Sequence, residues 1–142
     1  MKYQMLTTML AWGLIQVVMP ISASGQTAGL EVAVLSRDKP VDFALEILPI
    51  LRKNCLACHN ARDTDGDLNL ETPATIAKGG ESGAVVVPGK AAESLLMRYV
   101  RQIEKPFMPP RRNKVSAKKL TYRQLSLVEL WINEGANGEV VQ

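Results

Sequence analysis

The sequence predicts an all-α domain, and three observations lead to this prediction. Apolar residues recur with helical spacing in three segments, near residues 48–58, 90–103 and 119–134. The strict apolar and polar alternation of half-buried strands is scarce. With 142 residues, the chain is long enough for one domain preceded by an export segment. We therefore expect one small helical domain over residues 41–136.

The N-terminus, residues 1–28, has the pattern of a secretory signal peptide. After Lys2 no charged residue occurs until Glu31, and the stretch between them is largely apolar. Small residues then allow cleavage after Gly25 or Ala28. An uncleaved membrane anchor is the alternative, although the segment is near the lower length limit for a span. We expect a periplasmic or otherwise exported protein that contacts a membrane only if this segment is retained.

Residues 29–40 mix small and charged residues without a period, which predicts a flexible lead-in. The next segment is dense enough in apolar residues for a buried helix. Because proline is tolerated only in the first turn of a helix, Pro49 places the helix start near Leu48, after an irregular turn at 42–47. At the other end, the tail 137–142 is small and polar, and we expect it to fray.

The run from Cys55 to His59 is a C-x-x-C-H motif, the attachment signature of c-type haem. Two cysteines at i and i+3 share one helix face, so both thiols can reach one edge of a flat macrocycle and form thioethers with it. The histidine that follows Cys58 is then positioned to bind the iron through Nε2. We expect one covalently bound haem c, held by Cys55, Cys58 and His59. Its attachment outside the bacterial cytoplasmic membrane agrees with export.

Three other uses of the two cysteines were weighed against this one. A thioredoxin-like redox site needs a βαβ setting, and no alternating apolar strand precedes Cys55. A structural disulfide would close a very short loop and stabilise the fold little. A zinc site needs four ligands, whereas the sequence contains two cysteines and one histidine. Haem attachment is therefore the favoured interpretation.

Several further motifs recur in the order known from one family, so that the sequence resembles the planctomycete-type cytochrome c domain over about residues 41–136. The motifs that carry the resemblance are Ile47-Leu48-Pro49-Ile50-Leu51, Asn54-Cys55-Leu56-Ala57-Cys58-His59, Gly79-Gly80-Glu81-Ser82-Gly83, Val87-Pro88-Gly89, Glu93-Ser94-Leu95-Leu96, Met108-Pro109-Pro110 and Trp131-Ile132-Asn133-Glu134-Gly135-Ala136. The resemblance implies a class I cytochrome c-like fold wrapped around one haem, with Met108 as the second axial ligand. Many members carry Gly-Pro after the motif histidine, where this chain has Asn60-Ala61.

Elimination independently points to Met108 as the second axial ligand. Removal of the signal peptide leaves two methionines, Met97 and Met108. Helical spacing puts Met97 on the charged side of the predicted second helix. Met108 follows that helix in a proline-rich loop, which can hold a soft thioether against iron. A methionine that merely fills the loop is the alternative.

Axial ligation by histidine and methionine leaves iron no open position for oxygen or a substrate. We therefore expect an exported monohaem electron carrier that is not an enzyme. If Met108 does not bind, a haem enzyme or gas sensor with an open axial position becomes the alternative. A third interpretation is a docking module of a larger redox complex, in which the haem mainly completes the core.

The charges near Met108 are strongly segregated, and they bear on the redox partner. Seven basic residues and no acidic one occur between Lys105 and Val128, whereas the loop from Asp63 to Glu71 is acidic. The basic run favours a partner protein with an acidic docking face, and a solvated loop that at most pairs with haem propionates is an equal alternative. Nucleic acid is a poor partner for an exported chain with a net charge of +3. The acidic loop is out of register for a calcium-binding EF-hand.

Overall fold

The regular secondary structure in the described part of the chain is entirely helical, and loops and turns connect the helices. The computed structural model describes residues 29–30, 32 and 35–138, so the predicted signal peptide and the last four residues lie outside it. The α-helices in these ranges are α1 (Leu48–Asn54), α2 (Pro73–Lys78), α3 (Leu95–Val100) and α4 (Tyr122–Asn133). A π-helix at Phe43–Ile47 and 3₁₀ turns at Asp65–Asp67 and Ala91–Glu93 accompany them.

The all-α prediction is confirmed. In place of strands, the described residues contain two isolated bridges, His59 with Thr64 and Gly80 with Gly83. A membrane-spanning helix is not found in these residues either, because none combines the required length and hydropathy.

The first predicted helix is shorter than expected and has an unusual beginning. The π-helix leads directly into α1, where Pro49 occupies the first turn as predicted. The helix ends at Asn54 instead of residue 58, because the Leu51 carbonyl accepts two N–H groups, those of Cys55 at 2.7 Å and Leu56 at 2.9 Å. The haem motif therefore forms a turn after the helix.

Helix α2 was not predicted, although its start has a readable signal. The Thr72 and Thr75 side chains each accept the other residue's backbone N–H in a capping box, and Pro73 occupies the first helical position. Gly79 ends the helix at φ +75°, where a Cβ would lie 2.3 Å from the Gly83 carbonyl oxygen. Six residues are too few to show a helical period, so the apolar pattern alone could not reveal this helix.

The second predicted helix, 90–103, is divided at Ser94. The Ser94 hydroxyl donates to the Lys90 carbonyl at 3.0 Å and accepts the Val87 N–H at 2.9 Å, while its own backbone is extended. Helix α3 therefore begins only at Leu95. Met97 is buried, with 1% of its surface exposed, so its predicted place on a charged side is wrong. A helix of six residues, packed on more than one side, does not keep a single apolar stripe.

Helix α4 lies within the predicted segment 119–134 and supplies much of the core. Thr121 and Gln124 form a capping box at its start. The Trp131 ring packs against Phe43 at a centroid distance of 5.4 Å, and its Nε1–H donates to the Asn137 carbonyl at 2.7 Å. The same core contains the fully buried side chains of Ile47, Leu51, Leu70, Ile76, Met97, Val100, Leu125, Val128 and Ile132.

The described residues of the predicted lead-in, 29–40, contact the domain. The Leu30 N–H donates to the Arg101 carbonyl at 2.8 Å, and Arg101 Nε donates to the Leu30 carbonyl at 3.0 Å. Farther along, the Arg37 guanidinium donates to both carboxylate oxygens of Glu46, at 2.8 and 2.9 Å. This hydrogen bonding lowers the pKa of Glu46, while burial acts in the opposite direction. The domain boundaries themselves stay a prediction.

The lowered pKa of Glu46 predicts a pH-dependent contribution to stability. We expect Glu46→Gln to reduce the free energy of unfolding at neutral pH, because the ionised carboxylate pairs with Arg37. The contribution is complete above the ordinary glutamate pKa of about 4.3 and is lost as pH falls through the lower folded value. Denaturant unfolding of wild type and variant at pH 7 and pH 3 measures this difference.

The matched control is Glu93→Gln, which alters the ion pair between Glu93 and Lys90. The side chains of this pair are 61% and 58% exposed, respectively. Solvent screens such a pair, so the control is expected to change stability less at either pH. The prediction would be contradicted if the difference in free energy of unfolding between wild type and Glu46→Gln were as large at pH 3 as at pH 7.

Candidate functional site

A single apolar cavity is lined by all four predicted site residues, Cys55, Cys58, His59 and Met108. Its volume is about 230 Å³, whereas one water needs only about 10–15 Å³ of such space. The cavity is therefore much larger than an ordinary packing defect. Its apolar walls are formed by Leu68, Leu70, Val85, Leu96, Val100, Pro106, Pro109 and Pro110. This arrangement suits a large and mostly apolar group.

The surroundings of both motif cysteines favour the thiol over the thiolate. Burial raises the pKa of Cys55 to about 12. Burial also raises the pKa of Cys58, and the nearby Asp65 carboxylate raises it further. The charge of Lys114 lowers this pKa. Redox-active and zinc-binding cysteines need an accessible thiolate. These surroundings therefore disfavour both of those alternatives.

Main-chain hydrogen bonds turn the motif so that its three functional side chains face one cavity. The Cys55 carbonyl accepts the N–H groups of Cys58 and His59, each at 3.1 Å. The Asn60 side chain holds the next turn, since its Nδ2 donates to the Leu56 carbonyl at 2.7 Å and its Oδ1 accepts two backbone N–H groups. Asn60 therefore stabilises the turn that follows His59.

His59 is oriented by a backbone carbonyl that sequence reasoning did not identify. Its Nδ1 lies 2.9 Å from the carbonyl oxygen of Asp65. Because a carbonyl can only accept, Nδ1 carries the proton and the Nε2 lone pair is left for a metal. The Asp65 N–H in turn donates to the Cys58 carbonyl at 3.0 Å, and the Leu70 N–H donates to the His59 carbonyl at 3.0 Å.

The acidic loop lies at the surface of the domain. Asp63, Asp65 and Asp67 are exposed. Among the described residues, no group of three carboxylate, histidine or cysteine side chains converges to hold a metal ion.

Met108 lies half-buried on the cavity wall, and its backbone is fixed on both sides. Its N–H donates to the Tyr99 carbonyl at 3.2 Å, and its carbonyl accepts from Gln102 Nε2 at 3.0 Å. Met97 is buried in the core and does not line the cavity. Met108 is thus the methionine that the fold brings to Cys55 and His59, although the error about Met97 removes one step of the elimination.

These residues fit a covalently bound haem. The cavity combines apolar walls, two thiols, an imidazole with a free Nε2 and a thioether. Polar side chains also reach the cavity, those of Asn54, Ser82, Tyr99 and Asn113. Sequence reasoning did not assign them to the site. Tyr99 and Asn113 match no motif, and Asn54 and Ser82 stand in motifs whose place on the cavity wall only the fold shows.

A basic rim adjoins this cavity, formed by the exposed residues Arg111, Arg112, Lys114 and Lys118. The Asn113 side chain organises it, since Nδ2 donates to the Pro110 and Ala117 carbonyls and Oδ1 accepts the Ala117 N–H. The ion pairs of the described residues join Arg37 to Glu46, Lys90 to Glu93 and Arg98 to Glu104. None of them neutralises the rim.

Removal of the thiols tests whether they hold a covalent group. We expect haem to be extracted by acidified organic solvent from the double variant Cys55→Ala/Cys58→Ala but not from the wild type, because the two thioethers would be missing. Each single variant should keep one thioether and show a red-shifted absorption band from the remaining conjugated vinyl group. Extraction followed by absorption spectroscopy measures both effects.

The control is Ser126→Ala, a substitution of similar size at a buried position whose hydroxyl donates to the Tyr122 carbonyl at 2.8 Å. It should retain the haem fully. Retention of non-extractable haem by the double variant would show that other residues form the covalent links.

Comparison with known proteins agrees with the geometry. The family model described as planctomycete cytochrome C matches residues 55–112, which confirms the resemblance and indicates a haem-binding, electron-transfer module with haem c. Among solved structures, Kuenenia stuttgartiensis hydrazine synthase is similar, with a TM-score of 0.45 and 21% identity over 70% of this chain. This chain spans only 17% of that one, and so distant a likeness carries no argument. No curated protein matches the chain.

Proposed function

We propose, on the premise that residues 55–112 are a planctomycete cytochrome C domain, that this protein is an exported monohaem c-type cytochrome. Its role is to carry single electrons, with iron ligated by His59 and Met108. One observation carries the proposal: the same apolar cavity is lined by both motif thiols, the imidazole and the loop methionine. These residues are up to 53 positions apart (108 − 55 = 53) and converge only in the folded chain.

Each of these residues has a distinct task. Cys55 and Cys58 provide the sulfur atoms of two thioethers. His59 presents Nε2, because the Asp65 carbonyl holds the proton on Nδ1. Met108 presents a soft thioether, which favours the reduced state and raises the reduction potential. When bound, haem c supplies one-electron chemistry at its iron.

The apolar walls complete this arrangement by excluding water. Leu68, Leu96 and Val100 surround the space and offer no hydrogen bond to a water molecule or a polar substrate. If His59 and Met108 both bind the iron of the haem, no coordination position would remain for a substrate. We therefore propose a carrier and not an enzyme.

Export is part of the proposal and depends on the sequence. The apolar segment within 1–28 supports a signal peptide, and the attachment of c-type haem outside the cytoplasm requires transport. We propose a periplasmic or otherwise exported location.

The partner that we propose is a redox protein with an acidic docking face. The basic rim adjoins the cavity, and its charges are not neutralised by the ion pairs of the described residues. Phe107 and Val115, 37% and 52% exposed, add apolar surface next to it, and Val115 also lines the cavity. A basic rim beside apolar surface suits a transient complex in which electrostatic attraction raises the encounter rate.

Axial ligation is tested by comparing the two methionines. We expect the oxidised wild type to show a long-wavelength sulfur-to-iron charge-transfer band, and Met108→Ala to lose it. Met97→Ala is the matched control: because Met97 is buried in the core, this change should lower the free energy of unfolding by about 2–5 kcal/mol and leave the band in place. Absorption spectra and denaturant unfolding of the holoproteins measure both effects.

A high-spin spectrum of the wild type would instead favour an open axial position and hence a haem enzyme or gas sensor. A low-spin spectrum with an unchanged band in Met108→Ala would assign the sixth ligand to another residue. Either result would overturn the proposed His/Met ligation.

The contribution of the basic rim is tested by charge reversal. We expect Arg111→Glu/Arg112→Glu/Lys114→Glu to slow reduction of hexacyanoferrate(III) by roughly tenfold at low ionic strength. The reason is that the rim attracts anions to the electron-transfer edge. Stopped-flow rates at several salt concentrations should fall with salt in the wild type and rise with salt in the variant.

The control reverses the exposed residues Arg52, Lys53 and Lys78, which changes the net charge equally at another surface. If this control slows the reaction as much as the rim variant does, net charge alone explains the rate. The rim would then be only a solvated surface.

A further inference from the structure

The loop that carries Met108 is tied to helix α3 at one carbonyl, that of Tyr99. This oxygen accepts the N–H groups of Gln102 and Met108, each at 3.2 Å. It also accepts Gln102 Nε2 at 3.2 Å. The end of α3 and the start of the methionine loop therefore share one acceptor.

Gln102 adopts a conformation that its residue type disfavours. Its φ is +60°, in the left-handed region, just after the end of α3. Glycine is the residue usually found at this position of a helix end, since it has no Cβ. A glutamine held here despite this preference indicates that its side chain is used.

The side chain of Gln102 uses both of its donors inside the loop. Nε2 donates to the Tyr99 carbonyl at 3.2 Å and to the Met108 carbonyl at 3.0 Å. With the Met108 N–H also bound to Tyr99, both peptide groups that flank the Met108 side chain are fixed. Only an amide of this length offers two N–H donors from one uncharged nitrogen, whereas a carboxylate would repel both carbonyl oxygens.

We propose that Gln102 is the positioning residue for Met108, holding the thioether on the cavity wall. This inference rests on the proposed function, in which Met108 is the second axial ligand. Without the two hydrogen bonds, the methionine loop leaves the wall more often. The axial position is then open for a larger fraction of the time, and an added ligand binds with a higher apparent affinity.

The test uses imidazole as an external ligand for the oxidised holoprotein. Gln102→Gly removes the side chain and relieves the backbone strain, so it should leave global stability unchanged or raise it. At the same time, its apparent Kd for imidazole should fall roughly three- to tenfold, the range expected for one to two lost hydrogen bonds. Gln102→Glu should have a larger effect, and both variants should weaken the sulfur-to-iron band.

Ser116→Gly is the control, because exposed Ser116 also has a positive φ, of +56°, in a neighbouring loop. It should keep the wild-type imidazole affinity. Gln102→Gly is expected to keep or gain global stability while its imidazole affinity rises. A residue that only ended the helix would gain stability as glycine without any change in imidazole affinity, so the two measurements together separate a positioning role from a structural one.

The outcomes distinguish this inference from the function on which it rests. A wild-type band that Met108→Ala removes, together with unchanged imidazole affinity in both Gln102 variants, would overturn the positioning role alone. Absence of the band in the wild type would overturn the ligation and the positioning role together. Tighter imidazole binding in both Gln102 variants, with wild-type affinity in Ser116→Gly, is the result that supports the proposal.

Discussion

The shortness of the helices is the constraint on which the fold depends. Helix α1 has seven residues, α2 and α3 have six each, and isolated helices shorter than about 12–15 residues are marginal in water. They must therefore be stabilised by burial in the core, where α1 packs on the π-helix Phe43–Ile47 and α3 packs on α4. Leu96 and Val100 of α3 belong both to the core and to the cavity wall. A group that fills the cavity provides packing partners for this helix, so binding and folding are coupled.

Backbone carbonyls organise the candidate site more than side chains do. The Leu51 carbonyl ends α1 before the motif, the Asp65 carbonyl sets the His59 tautomer, and the Tyr99 carbonyl anchors the Met108 loop. Each acceptor is fixed by secondary structure or a tight turn close to it. The functional side chains are thus oriented with little freedom, which suits a redox centre whose ligands should not rearrange when the charge changes.

The sequence predicts those parts of this molecule whose causes are local. Cys55, Cys58 and His59 are neighbours in the chain, and Pro49 sets a helix start by its own chemistry. Helix α2 escaped prediction because its signal is a capping box and not a period. The prediction for Met97 is wrong because α3 has only six residues and packs on more than one side, so that no single apolar stripe defines its faces. The Asp65 carbonyl reaches His59, and the Tyr99 carbonyl reaches the Met108 N–H, only because the chain turns back on itself. No single residue type predicts such a turn.

Two glycines, Gly66 and Gly80, form part of the cavity wall. A Cβ on Gly80 would lie 2.5 Å from the Gly66 carbonyl oxygen, and one on Gly79 would lie 2.3 Å from that of Gly83. Gly66 and Gly80 both line the cavity, so this part of its surface is bare main chain. Main chain has no rotamers and does not vary in size among related sequences. Substitutions can therefore change the parts of the cavity wall that side chains form, and with them the environment of a bound group, while this part of the wall keeps its shape.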